Sequence, residues 1–212
     1  MPDDLVLLVA DKQMAETVRG ILSRPRALGI RAISCTVYTH PNKDPGCRRE
    51  AHQFLRPFHS EFRFGLVLFD RQGCGAAADA TPQDVERTVE ENLRRSGWDD
   101  RARCVVIDPE LEAWVWSDSP EVDECLGWQS SEPRVQDWLR STGRWPEDAS
   151  KPPHPKEALE DALETVRQPR SSALFRDLAE SVSFRRCTDP SFQRFQDRLR
   201  KWFAGDWHSS LS

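Results

Sequence analysis

The sequence predicts an α/β domain: an open, mainly parallel four-stranded sheet flanked by helices, with a C-terminal helical extension packed on it. Three observations predict this. Short apolar runs recur along the first half of the chain, and three of them end in an acid. Segments with helical spacing of their apolar residues separate these runs. The resulting order, strand and helix in alternation, is the signature of a sheet joined by crossover helices.

The elements follow in order. LVLLVAD (5–11) is apolar up to its last residue, as expected of a strand buried on both faces. KQMAETVRGILSRPRALG then carries Met14, Val18, Ile21 and Leu22 at helical spacing, and Pro25 and Gly29 close the region. IRAISCTVYTH (30–40) is β-branched and predicts the second strand. After the loop PNKDPGC, the stretch from Cys47 to Phe62 reads as helix, with Pro57 as an interruption. FGLVLFD (64–70) repeats the opening logic, an apolar strand ending in Asp70. Next comes the loop RQGCGAAADATP, then a helix with Thr81 at its N-cap, Pro82 at the first helical position and Asp84 in the first turn. That helix aligns Val85, Val89 and Leu93 and ends at Gly97. RCVVIDPELEAWVW (103–116) predicts a strand to Asp108 and a helix from Pro109.

Past Trp116 the pattern changes, so residues 1–117 read as the α/β core and 118–212 as a helical extension of the same domain. The stretch from Asp118 to Ser150 is acidic and rich in Trp, with a helix at RVQDWLRSTG. KPPHP (151–155) is a stiff break before three helices: KEALEDALETVRQ, SALFRDLAESVSF and PSFQRFQDRLRKWF. These could not fold alone and are expected to pack on the sheet.

Composition bounds the function. The chain has 212 residues, 38% hydrophobic and 31% charged, and its eight Trp and ten Phe supply large units of buried area. A net charge of −5 argues against broad nonspecific DNA binding. The charge is uneven: residues 184–201 hold six bases against two acids, either a basic face or a solvated helix surface. No apolar run approaches the roughly 20 residues needed to span a bilayer. The opening MPDDLVLL lacks the basic residues of a secretory signal. The six cysteines are scattered, with neither a CxxC pair nor a His at zinc-ligand spacing. They read as reduced thiols of a cytoplasmic protein.

In open α/β sheets, ligands bind beyond the carboxyl ends of the strands. Asp11, Asp70 and Asp108 lie there, with Glu110 and Glu112 just beyond. Carboxylates gathered at one edge call for a cation, and oxygen ligands without His or Cys favour Mg²⁺ or Mn²⁺. A helix cap explains Asp11 equally well. For Asp70, followed by RQGCG, capping is less natural. A helix from Pro109 would set Glu112 and Trp116 on one face and turn Glu110 elsewhere. Glu112 could equally be an ordinary first-turn acid. RQGCG lacks the Lys-Ser/Thr of a phosphate loop, and nothing places a His beside Cys74 to make it a nucleophile. His154 and Lys156 stand at a helix entrance, where they could reach a phosphate or simply face solvent. His52 and His59 read as structural. Phe192, Phe195, Leu199 and Trp202 are spaced as a packing stripe.

These features together resemble the TOPRIM-like proteins of bacterial defence islands. The shared features are a first strand ending in an acid (LVAD, Asp11) and a later strand ending in an Asp-x-Asp-like motif (LVLFDRQG, Asp70). A Pro-x-x-Glu-x-Trp segment (PELEAW, Glu112 and Trp114) and a Pro-Lys helix start (HPKEAL) complete the set. The likeness runs in order from about residue 5 to 203, and is nearest to the small accessory component of methylation-associated anti-phage systems. Two departures stand out: Asp11 replaces the usual Glu with no Gly after it, and Gln72 replaces the second Asp. The resemblance implies a Mg²⁺-dependent nuclease acting on phage nucleic acid with other defence proteins. In it Asp11, Asp70 and Glu112 are catalytic and metal-holding, Gln72 is an auxiliary ligand and Lys156 a phosphate contact. The alternative is a non-catalytic adaptor that retains a degenerate metal site.

Overall fold

The computed structural model describes residues 2–128 and 133–205. Four strands, β1 (Asp3–Val9), β2 (Cys35–Thr39), β3 (Phe62–Asp70) and β4 (Ala102–Ile107), form one sheet in the order β2-β1-β3-β4. Every pairing is parallel. The fold class is therefore the one the sequence predicts. Burial explains the continuous apolar runs: Leu5 to Val9 and Leu66 to Phe69 are all fully enclosed.

Between β1 and β2 lie α1 (Lys12–Leu22) and the single turn α2 (Pro25–Leu28). Between β2 and β3 runs α3 (Lys43–Leu55), and between β3 and β4 runs α4 (Pro82–Leu93). The chain leaves β1 toward β2, then returns past β1 to β3. Right-handed crossovers therefore put α1 on one face and α3 with α4 on the other. The N-cap signals hold. Asp11 Oδ1 accepts from Met14 N at 2.9 Å, and Thr81 and Asp84 form a reciprocal capping box.

Four boundaries differ from expectation. The second strand is shorter, because Ile30 bridges to Ala204 and Arg31 N donates to Phe203 O, tying residues 30–31 to the end of the chain's last helix. α3 begins at Lys43 rather than Cys47 and ends at Leu55; a 3₁₀ turn (Arg56–Phe58) carrying Pro57 follows, and Phe62 already belongs to β3. Beyond α4 the helix widens into a π turn (Arg94–Trp98), where Gly97 takes a φ of 99°. No helix starts at Pro109. Glu110 is extended (φ −160°, ψ 167°), and only a 3₁₀ turn, Leu111–Trp114, follows.

The extension adds α5 (Pro120–Cys125), α6 (Val135–Ser141), α7 (Pro155–Thr165), α8 (Ser172–Ser181) and α9 (Pro190–Phe203). It packs on the core as expected: α8 lies along α1, and α9 lies against β4. Phe192, Phe195 and Leu199 are buried as a packing stripe, and the ring of Trp202 stacks on Phe64 at 4.7 Å. The basic stretch 184–201 is no uniform solvated face. Arg194 binds Glu86 at 3.0 Å, Arg200 Nε donates to Leu28 O, and Arg186 donates to Asp118 O. All six cysteines are free, and no helix of the described residues is long and apolar enough to cross a membrane.

The α1–α8 contact depends on Gly20. A Cβ there would stand 2.8 Å from Ala179 Cβ and 2.9 Å from the Arg176 carbonyl oxygen. Overpacking of this kind costs about 1–3 kcal/mol, against a helix-propensity gain near 1 kcal/mol. The net cost of Gly20→Ala, up to about 2 kcal/mol, is expected to lower the thermal midpoint by up to roughly 8 °C, read by circular dichroism. A raised midpoint would mean that the extension does not sit this tightly on the core.

A candidate acidic site at the carboxyl edge of the sheet

The strand order reverses between β1 and β3, so the crevice beyond their carboxyl ends is where an open α/β sheet holds ligands. The two strands pair with Val9 opposite Leu68, and the same register carried two residues on sets Asp11 level with Asp70. On the other side of β3, Asp70 pairs with Ile107, so the segment after β4 leaves beside it. The topology thus brings Asp11, Asp70, Glu110 and Glu112 to one edge.

Asp44, in the first turn of α3, joins them. Its Oδ1 accepts from the backbone N of Asp70 at 2.9 Å. The turn that carries it is fixed by His40, whose buried ring accepts at Nδ1 from Asn42 N at 3.1 Å. Gly46 is required there, since a Cβ would lie 2.0 Å from that same nitrogen.

Asp70 is the least compensated of the group. Its Oδ1 is buried and meets no hydrogen-bond donor. Burial pushes its carboxyl well above the ordinary range, and the carboxylates of Asp44, Glu112, Asp11 and Glu110 push it further. Burial also raises Asp44, against the hydrogen bond from Asp70 N.

The remaining acids have partners. Asp11 caps α1 through Oδ1. Glu110 and Glu112 are both buried, rather than one in and one out, because the backbone is extended at Glu110 and turns only after it. Glu110 Oε1 accepts from Lys156 N at 3.1 Å at the start of α7. Glu112, 2% exposed, receives the guanidinium of Arg170 from the α7–α8 connection. Trp116 lies beyond the 3₁₀ turn and donates from Nε1 to Pro155 O, and Trp114 Nε1 donates to Ser191 Oγ at 2.7 Å.

Other sequence candidates lie at the rim. Gln72 is exposed, and its backbone N donates to Pro109 O. The Lys156 and His154 side chains are exposed at the α7 entrance, and Asp108 is exposed. Cys74 is buried, with its carbonyl held by Arg48 Nε at 2.8 Å, so it is no exposed nucleophile. Asp44 and Arg170 escaped sequence reasoning. Asp44 sat in a stretch read as loop, where the following Pro45 could have marked a helix start. Arg170 lies 58 residues from Glu112, and no local pattern signals it.

Among the described residues no three His, Cys, Asp or Glu side chains form a ready metal cage. Mg²⁺ does not require one. It is commonly held by one or two carboxylates and keeps several waters. The buried, donor-free carboxylate oxygen of Asp70 is the feature of this edge that such an ion would satisfy.

A carboxyl whose folded pKa lies above its ordinary 3.8 loses folded-state stability as pH rises from that value to the folded pKa, and the full penalty persists above it. Asp70→Asn removes the penalty. It should therefore stabilise the metal-free protein at pH 7, by about 0.5–2 kcal/mol as is common for relieved functional sites. The gain should shrink toward zero below about pH 4, near the unfolded carboxyl range. Urea unfolding of both proteins across this range checks it, and a less stable variant at pH 7 would contradict it.

No family model, curated protein or solved structure matches this chain.

Proposed function

We propose that this chain is a TOPRIM-like, Mg²⁺- or Mn²⁺-dependent phosphodiester hydrolase acting on nucleic acid, as a cytoplasmic component of a bacterial anti-phage defence system. The observation that carries the chemistry is the buried, donor-free Oδ1 of Asp70 among the carboxylates of Asp11, Asp44, Glu110 and Glu112. The defence setting rests on the ordered motifs LVAD, LVLFD, PELEAW and HPKEAL.

On this reading Asp70 is the central ligand, with Asp11 and Asp44 beside it. A bound divalent ion would supply charge neutralisation for a phosphate and a water activated for attack. Gln72 offers a neutral oxygen at the mouth. The exposed Lys156 side chain, at the start of α7, contacts the phosphate backbone and orients it. Asp44 keeps the end of β3 in place through the Asp70 amide.

One observation favours the rival, a non-catalytic adaptor. Glu112 is already neutralised by Arg170 and Asp11 already caps a helix, so two of the family-pattern acids have structural duties.

A metal titration separates the two. Added Mg²⁺ or Mn²⁺ should raise the thermal midpoint of the wild type, by about 2.7 kcal/mol of stability at a hundredfold excess over Kd. Single- and double-stranded DNA and RNA are tested for cleavage in parallel. Asp70→Asn should abolish both the shift and the cleavage. A wild type with neither response leaves the adaptor reading, under which capture of partner subunits survives Asp70→Asn.

A further inference from the structure

We propose that the trough between α3 and α4 binds the phosphodiester backbone of a nucleic-acid strand and leads it to the crevice at Asp70. The proposal rests on the nucleic-acid reading above and goes beyond it, since it assigns the strand's path to a face that carries none of the motifs.

α3 and α4 lie against each other on one face of the sheet, and both run from its carboxyl edge to the opposite one. Where they end, an open trough of about 650 Å³ lies between them. His52, Gln53 and Arg56 line it from the α3 side, and Asn92, Arg95 and Ser96 from the α4 side. No acid is among these six. Arg95 pairs with Glu91, and Ser96 Oγ donates to Leu93 O at 2.8 Å. Among the described residues, the side chains of His52, Gln53, Arg56 and Asn92 meet no hydrogen-bonding or ionic partner. They offer free guanidinium and amide N–H groups, which are donors suited to phosphate oxygens.

The basic surface continues toward the crevice. Arg49 is exposed and precedes Gln53 and Arg56 by four and seven residues, so the three share one stripe of α3. Arg48, next to it, donates from Nε to Cys74 O in the loop that follows Asp70. Basic groups thus connect that loop to the trough along a 13-residue helix, about 20 Å long. The two acids of α3 are engaged elsewhere. Asp44 accepts from the Asp70 amide, and Glu50 accepts from Asn42 Nδ2 at 3.0 Å.

Cations at a helix end also balance its free carbonyls. That accounts for charge in the last turns of α3 and α4. It accounts neither for Arg49, upstream of the last turn, nor for the unpartnered amides of Gln53 and Asn92. The net charge of −5 opposes the attraction over the rest of the surface, so binding is local and sensitive to salt.

The test is strand binding without metal. Anisotropy of a labelled single-stranded oligodeoxynucleotide, with chelator present, should give the full chain a Kd of about 1–100 µM. Arg56→Gln/Arg95→Gln should bind at least about tenfold more weakly, and its slope of log K against log salt should fall by roughly 1.4, as for two lost phosphate contacts. Arg185→Gln/Lys201→Gln makes the same charge change on the basic stretch of the extension and should stay within about twofold of wild type. Far-ultraviolet circular dichroism checks that each variant folds. If the Arg56/Arg95 variant does not, Arg56→Gln alone decides, with a slope lowered by about 0.7. A trough variant that binds like wild type, or an extension variant that loses as much, overturns the proposal. So does a wild type without saturable binding. The hydrolase reading is judged separately, by its metal response and cleavage: a wild type that cleaves, with a trough variant that still binds fully, removes the path alone.

Discussion

Like charges gathered at one edge of a parallel sheet repel, and much of the chain beyond the strands answers that repulsion. Parallel pairing of all four strands sends their carboxyl ends to the same edge, so the acids that end β1 and β3 and those that follow β4 cannot avoid each other. The backbone meets part of the demand, through the amides of Met14, Asp70 and Lys156. Arg170 meets another part. What is left unmet falls on Asp70, in the crevice between the central strands, whose buried Oδ1 has no donor.

The extension is held where Arg170 can act by a second buried network, one turn away. Trp114 Nε1 donates to Ser191 Oγ, Ser191 donates to Asp189, and Lys151 Nζ binds Asp189 at 3.0 Å and also the Ala113 carbonyl. Asp189 is 3% exposed and also caps α9 through the amides of Ser191 and Phe192. Burial acts to raise its pKa, but Lys151, the Ser191 hydroxyl and the Phe192 amide outweigh it and hold the carboxyl below the usual range. The segment after β4 is thereby locked to α9 by Trp114 and to α7 by Trp116. The Trp residues of PELEAWVW thus set the position of Glu112 without being ligands themselves.

The strands were legible because burial on both faces writes itself as continuous apolar sequence, and Asp70 was legible because it interrupts such a run. The Thr81 cap was equally plain, since its hydrogen bonds are made within four residues. What sequence could not convey was pairing at a distance. Nothing in PNKDPGC says that Asp44 reaches the end of β3, and nothing near Gln168 or Pro169 says that the next residue meets Glu112. The PELEAW segment misled for a related reason. Its composition suits a helix from Pro109, but Glu110 is drawn into an extended backbone and bound to the amide at the start of α7.

The same distance effect explains the basic stretch near the C-terminus. The outer edge of β4 would present unpaired amides, a template for another strand. Glu86 accepts from Val106 N and Glu90 from Cys104 N, while Arg194 donates to Val106 O and neutralises Glu86. A residue that counts in sequence as part of a positive run is thus part of an edge seal, and so is unavailable as a phosphate contact. Arg170 and Arg194 are alike in this: each is an extension arginine that neutralises a carboxylate of the α/β core. The extension therefore supplies countercharge to the core at these two places and again where Arg176 meets Glu16, while at the sheet's carboxyl edge Asp70 Oδ1 is left without a donor.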